Sequence, residues 1–158
     1  MSKVGRAAYA HAKERVTILE AASTLTANDS GETLVLNSAT GFTTTLPAAI
    51  KGQHFRVVIA VSSTDAALKI AASGEYFYGN IKVVSTTADN TAVQSITKAT
   101  ASGTPANYDH LVLDGDAATG GGLAGDCLEL YCVEDGGWLV VSSVCTSNAN
   151  PGSVAIIA

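Results

Sequence analysis

The sequence predicts an all-β fold: a single β-sandwich or jelly-roll-like domain, or a small β-barrel, behind an extended N-terminal arm. Three observations predict it. Apolar residues make up 47% of the chain but many are alanine, charged residues only 15%, and Leu, Glu and Lys are too few for a mainly helical protein. From Thr24 onward, turn-forming clusters recur at short intervals, among them NDSG at 28–31, SATG at 38–41, PAAIKG at 47–52 and DGG at 135–137. Between them lie runs rich in Thr, Val, Ile and aromatics that alternate with period two. The 158 residues suffice for one core and not for two, so residues 1–20 are read as arm and 21–158 as body.

The arm stands out by charge. Residues 1–15 hold Lys3, Arg6, Lys13 and Arg15 against Glu14, a net +3, while the rest of the chain carries a net −8. A basic head on an acidic body is either an arm that docks on something acidic or a solvated leader. Residues 6–15 are the helical candidate, but they are shorter than an isolated helix needs; a single turn or an extended arm ordered on binding are the alternatives. No run is long and apolar enough for a signal peptide or a membrane span, which predicts a soluble chain.

Within the body, residues 41–47 place Phe42, Thr44 and Leu46 on an inner face and Thr43 and Thr45 outside, and Pro47, which cannot donate to a ladder, ends the strand. In 55–61, Phe55, Val57, Ile59 and Val61 share the inner face, opposite His54, Arg56, Val58 and Ala60. The clearest unit is GDCLELYCVEDGGWLVVSSVC, 125–145, a central hairpin. A two-residue turn at Asp135-Gly136 would set Cys132 opposite Leu139, Leu130 opposite Val141 and Leu128 opposite Ser143 on the buried face, and in the same register Cys127 opposite Val144. Val133 would then lie beside Trp138 and Tyr131 beside Val140 on the other. No cysteine opposes another in that register, which predicts no disulfide; Cys127, Cys132 and Cys145 also lack zinc spacing. Residues 114–126, with the triplet Gly120-Gly121-Gly122, read as a mobile surface loop. The terminal PGSVAIIA ends on Val154, Ile156 and Ile157, too apolar to be left in water, and so packs on its own body or across a subunit boundary.

Catalytic constellations are absent from the pattern. Asp109-His110 could be half of a base–orienter pair, but no nucleophile sits in a recognisable turn. Asp114-Gly115-Asp116 opens like a calcium loop and lacks its later ligands. The glycine triplet precedes no Lys-Ser/Thr and is no phosphate loop. Glu129 and Glu134 fall on opposite faces of a regular strand and so do not pair as glycosidase carboxylates. Tyr76-Phe77-Tyr78 offers a stacking platform for a sugar, whereas an acidic body argues against nucleic acid. The expectation is a non-enzyme without metal or cofactor.

The segments LTANDSGETLVLNSATGFTTTLPAAIKGQHFRVVIAV and GDCLELYCVEDGGWLVV, within 24–61 and 125–141, resemble the β-rich virion proteins of tailed bacteriophages, above all head decoration or cement proteins. The resemblance implies a structural protein on the capsid surface, made in the host cytoplasm, binding the major capsid protein as a homotrimer, with no nucleic-acid or membrane partner. It would place the capsid contact on the arm, through Lys3, Val4, Arg6, Tyr9, Lys13, Arg15 and Val16, and a subunit interface on Val154, Ile156 and Ile157. The alternative is a carbohydrate- or receptor-binding module of a phage fibre, acting through Tyr76, Phe77 and Tyr78.

Overall fold

The structure, a computed structural model, describes residues 15–87, 91–98, 108–115, 120–146 and 157. Its first strands are laid down alternately in two sheets. β1 (Val16–Leu19), β3 (Thr33–Leu36) and β5 (His54–Ile59) join one; β2 (Ser23–Thr24), β4 (Thr43–Thr45) and β6 (Leu68–Ala71) join the other. The larger sheet, A, is completed by β7 (Tyr76–Ser85), β8 (Thr91–Ile96), β10 (Cys127–Glu134) and β11 (Gly137–Thr146), in the order β1-β3-β5-β10-β11-β7-β8. The smaller sheet, B, runs β2-β4-β6-β9, with β9 at His110–Leu113. A 3-10 turn, Ala27–Asp29, links β2 to β3 and is closed by a capping box between Thr26 and Asp29.

The domain is therefore an all-β sandwich of mixed sheets, but its pairing is not that of an antiparallel jelly roll. Among the described residues five of the nine strand pairings are parallel: β1/β3, β3/β5, β2/β4, β4/β6 and β7/β11. Up to β6 the chain winds like a coil around one core, as solenoid proteins do, each pass stacking on the last. The registers Leu19↔Leu36↔Ile59 and Leu34↔Val57↔Leu128 build aliphatic ladders on the inner face of sheet A. Thr44↔Ile70↔Leu111 does the same in sheet B. Both faces merge in one core, where the rings of Phe55 and Trp138 meet at 5.7 Å and 51°.

Several expectations hold. Thr44 and Leu46 are buried, Phe42 packs against the core, and Thr43 and Thr45 are half-exposed. Phe55, Val57 and Ile59 face inward; Val61 does not, because β5 ends at Ile59 and leaves Val61 on the surface. The hairpin is central to sheet A and turns at Asp135-Gly136, but its register is corrected by one residue. Glu134 pairs with Gly137 as expected; a bulge then intervenes, so Tyr131 pairs with Leu139, Leu130 with Val140 and Cys127 with Ser143. A one-residue slip exchanges faces. Trp138, Val140 and Val144 join Leu128, Leu130 and Cys132 inside, while Val141 is exposed. The three cysteines are free thiols.

Within the glycine-rich loop the triplet and Asp126 are packed, and only Ala124 and Gly125 of its described residues are exposed. Gly120, Gly121 and Gly122 are buried. Gly120 accepts from Asp114 N–H, Gly121 N–H donates to Cys145 O, and Gly122 accepts from Ser63 N–H. Asp126, also buried, accepts from Leu123 N–H and Cys145 N–H and ties the loop to β11. Burial pushes its carboxyl above the ordinary value, against these hydrogen bonds.

Candidate functional site

Residues 16–19 of the expected arm form β1, which among the described residues is an edge strand of sheet A. The Arg15 guanidinium donates to Asn28 O at 2.6 Å and meets the Glu32 carboxylate at 3.1 Å. Val16 and Ile18 point away from the core, 60% and 62% exposed. Among the described residues β1 has a neighbour on one side only. Lys3, Val4, Arg6, Tyr9 and Lys13 lie outside the described residues, as does the helical candidate apart from Arg15.

Of the terminal residues expected to pack on the body or across a subunit boundary, Ile157 packs on the body. It is buried in its own core, bridges Leu111 and exchanges both backbone hydrogen bonds with the side-chain amide of Gln94. Val154 and Ile156 fall outside the described residues. The aromatic platform is also corrected. Period-two alternation sends Phe77 fully into the core, and Tyr78 is buried with its hydroxyl unpartnered. Burial raises the Tyr78 phenol above its ordinary value. Tyr76 alone keeps partial exposure, tilted 47° against Tyr78. Of the three rings the strand leaves only Tyr76 partly exposed.

His110 Nδ1 and Asp109 Oδ1 lie 2.5 Å apart, half-exposed where β9 begins beside Ala71. Among the described residues no group of three His, Cys, Asp or Glu side chains is placed to hold a metal ion. Likewise, no helix among them is long and apolar enough to cross a membrane.

The exposed aromatic surface lies elsewhere, where β5 begins beside the bulged end of β10. His54 and Tyr131 are cross-strand partners, and their rings stack at 6.4 Å and 19°. The Tyr131 hydroxyl donates to the Glu129 carboxylate at 2.7 Å, which fixes the ring and raises the phenol. The preceding turn is bolted to the bulge. Gly52 N–H donates to Cys132 O, Cys132 N–H to Gln53 O, and Lys51 N–H to the Asp135 carboxylate, all at 2.8 Å. Together Lys51, Gly52, Gln53, His54, Tyr131, Cys132 and Val133 line an open cleft of about 430 Å³. Sequence reasoning missed it because the bulge that creates it leaves no mark in a period-two pattern. A second hollow of about 410 Å³, lined by Cys127, Glu129, Val141 and Ser142, lies further along the same outer face.

Compared with known protein families, with curated proteins and with solved structures, the chain matches none.

Proposed function

We propose that this chain is a non-enzymatic virion structural protein that binds the exterior of an assembled phage capsid and stabilises it as a decoration protein, working as a homotrimer. The observation that carries the reading is the β1 edge: an apolar, uncharged strand with Val16 and Ile18 exposed, at the exit of a leader holding Lys3, Arg6 and Lys13. An open edge accepts another chain through backbone hydrogen bonds with little demand on side chains, and the cations attract an acidic partner. The resemblance of the segments running from Leu25 through β5 and of the β10–β11 hairpin to phage cement proteins supports the same reading. A ligand of the assembled shell alone stabilises it by mass action, and a trimer needs only modest affinity at each contact.

The test is co-sedimentation with undecorated capsids, with mass measured by light scattering. Saturable binding, a trimeric mass and a higher capsid disruption temperature are expected. Removing residues 2–13 leaves Arg15 and its contacts in place; unchanged binding by that variant refutes the arm, and no binding by the full chain refutes the function.

A further inference from the structure

We propose that the apolar cleft beside Tyr131 is the seat of this chain's own leader, residues 1–14, with Tyr9 against the Tyr131 ring and Arg6 and Lys3 beside Asp135 and Glu75. The docking does not rest on the capsid reading; where both hold, a capsid has to displace the leader from this seat. Position is the first argument. β1, β3 and β5 run parallel, and the row Val16–Thr33–Arg56–Glu129 crosses them into β10. Two residues upstream in β5, His54 faces Tyr131. The cleft therefore lies at the end of sheet A where β1 starts and where the leader joins it at Arg15. Neighbouring strands are about 4.8 Å apart, so β5 and β10 lie roughly 10 and 14 Å to the side of β1. Extended chain advances about 3.3 Å per residue, so Tyr9, six residues before Arg15, reaches about 20 Å.

Chemistry agrees with position. The wall of the cleft is aromatic and aliphatic: Tyr131 is 38% exposed, Val133 50%, and the His54 ring lies 6.4 Å from that of Tyr131. Such a wall is best covered by another apolar ring, and Tyr9 is the largest apolar side chain of the leader. Tyr131 is held in advance by its hydrogen bond to Glu129, so stacking on it costs little ordering entropy. Beyond the cleft the same end of the sheet turns acidic, with Asp135 in the β10–β11 turn and Glu75 just before β7. These carboxylates accept from the backbone N–H groups of Lys51 and Ala49, and among the described residues neither is in an ion pair. They also lie close enough to repel. Burial raises the Glu75 carboxyl, and the Asp135 charge adds to the rise against the Ala49 hydrogen bond. Glu134, in the same turn, is already taken by Lys98. Outward from Arg15 the leader presents Tyr9, Arg6 and Lys3 in turn; outward from β1 the sheet end presents the cleft, Asp135 and Glu75. The two orders match, apolar ring to apolar wall and cations to carboxylates.

The measurement compares amide spectra of the full chain and of a variant lacking residues 2–13, which keeps Arg15 and its contacts. Shift differences at Gly52, His54, Tyr131 and Val133 are expected, well away from the cut. Tyr9→Ala in the full chain should reproduce them, and Arg6→Glu should move the same amides part of the way; each variant's spectrum reports its own folding. A short tether presents its end at about millimolar effective concentration, so a synthetic 2–14 peptide should restore the full-chain shifts to the shortened variant near that concentration. No differences at the cleft, no effect of Tyr9→Ala there, or no restoration by the peptide would overturn the seat. Isotopically labelled shortened chain should be unchanged by micromolar unlabelled full chain. Recovery of the shifts in that mixture would make the occupant a second copy's leader and overturn the assignment to the same chain. Capsids enter none of these readings, so failure of the seat and failure of the capsid function are separate results.

Discussion

Replacing Gly122 by alanine should destabilise the protein far more than replacing Gly125, three residues further along the same loop. Both adopt positive φ, +79° and +100°. A Cβ at Gly125 meets nothing within 4 Å, whereas one at Gly122 lies 2.7 Å from Ser63 Oγ and 3.0 Å from backbone atoms of Gly115 and Leu113. The left-handed backbone costs a residue with a Cβ about 1–2 kcal/mol. A stiffer unfolded chain returns about 0.4–1 kcal/mol of that. Gly125→Ala should therefore lose about 0.5–1 kcal/mol. Gly122→Ala adds crowding against buried backbone, about 1–3 kcal/mol more. In urea, with a slope of about 2 kcal/mol per molar, the midpoints should fall by roughly 0.25–0.5 M for Gly125→Ala and roughly 0.75–2 M for Gly122→Ala. Adding Ser63→Ala removes the nearest atom but also the hydrogen bonds of its hydroxyl with Gly115 N–H and Leu113 O. The double variant should be more stable than the sum of its parts by about 1 kcal/mol. Equal midpoints for the two single variants would refute the packed loop and restore the mobile one.

Trp138, the sole tryptophan, is fully buried against Phe55, so Trp138→Ala should cost about 3–5 kcal/mol by circular dichroism melting, and a loss below 1 kcal/mol would contradict its place in the core. Asp29 accepts from Thr26 N–H and Oγ1–H, and the first of these chiefly depresses its pKa below the ordinary 3.8. Its contribution is present above pH 3.8 and lost as the pH falls through the depressed value, so urea midpoints of wild type and Asp29→Ala should converge on acidification. Asp126 has the opposite sign. Its pKa is raised by burial, so its contribution is full below 3.8 and lost as the pH rises through the raised value. Wild type should therefore lose ground to Asp126→Asn as the pH rises, and parallel curves would refute the assignment.

Period two reports which face a side chain takes and nothing about the direction of the neighbouring strand. That is why Phe42, Thr44, Leu46, Phe55, Val57 and Ile59 were legible as an inner face while the parallel winding of β1 to β6 was not. The hairpin turn was legible in Asp135-Gly136. The bulge between Tyr131 and Glu134 was not, because a bulge is one extra residue and any strand-like residue will serve. That single residue decides that Trp138 is core and Val141 is surface, and it shapes the cleft beside Tyr131. Glycine misled for a related reason. Its lack of a side chain permits mobility and equally permits close packing, and at Gly122 the neighbours Ser63 and Gly115 select the second.

The same winding determines where a partner strand can be added. A stack of coils has two ends, and each leaves strand edges with unpaired backbone groups. At one end the edge strands are β8 and β9, and Ile157 serves both: it bridges Leu111 of β9, and the Gln94 amide of β8 grips its backbone. At the other end β1 and β2 are the edges among the described residues. Natural edges are commonly blunted by charge, proline or a bulge. β1 reads VTIL, has none of these, and turns Val16 and Ile18 to solvent. The flanking charges do not guard it either, since Arg15 is drawn to Asn28 and Glu32 and Glu20 accepts from the Asn37 amide. An edge this apolar is an aggregation hazard unless another chain covers it. That is the physical reason why the proposed capsid contact is placed on β1 and the cation-rich residues before it.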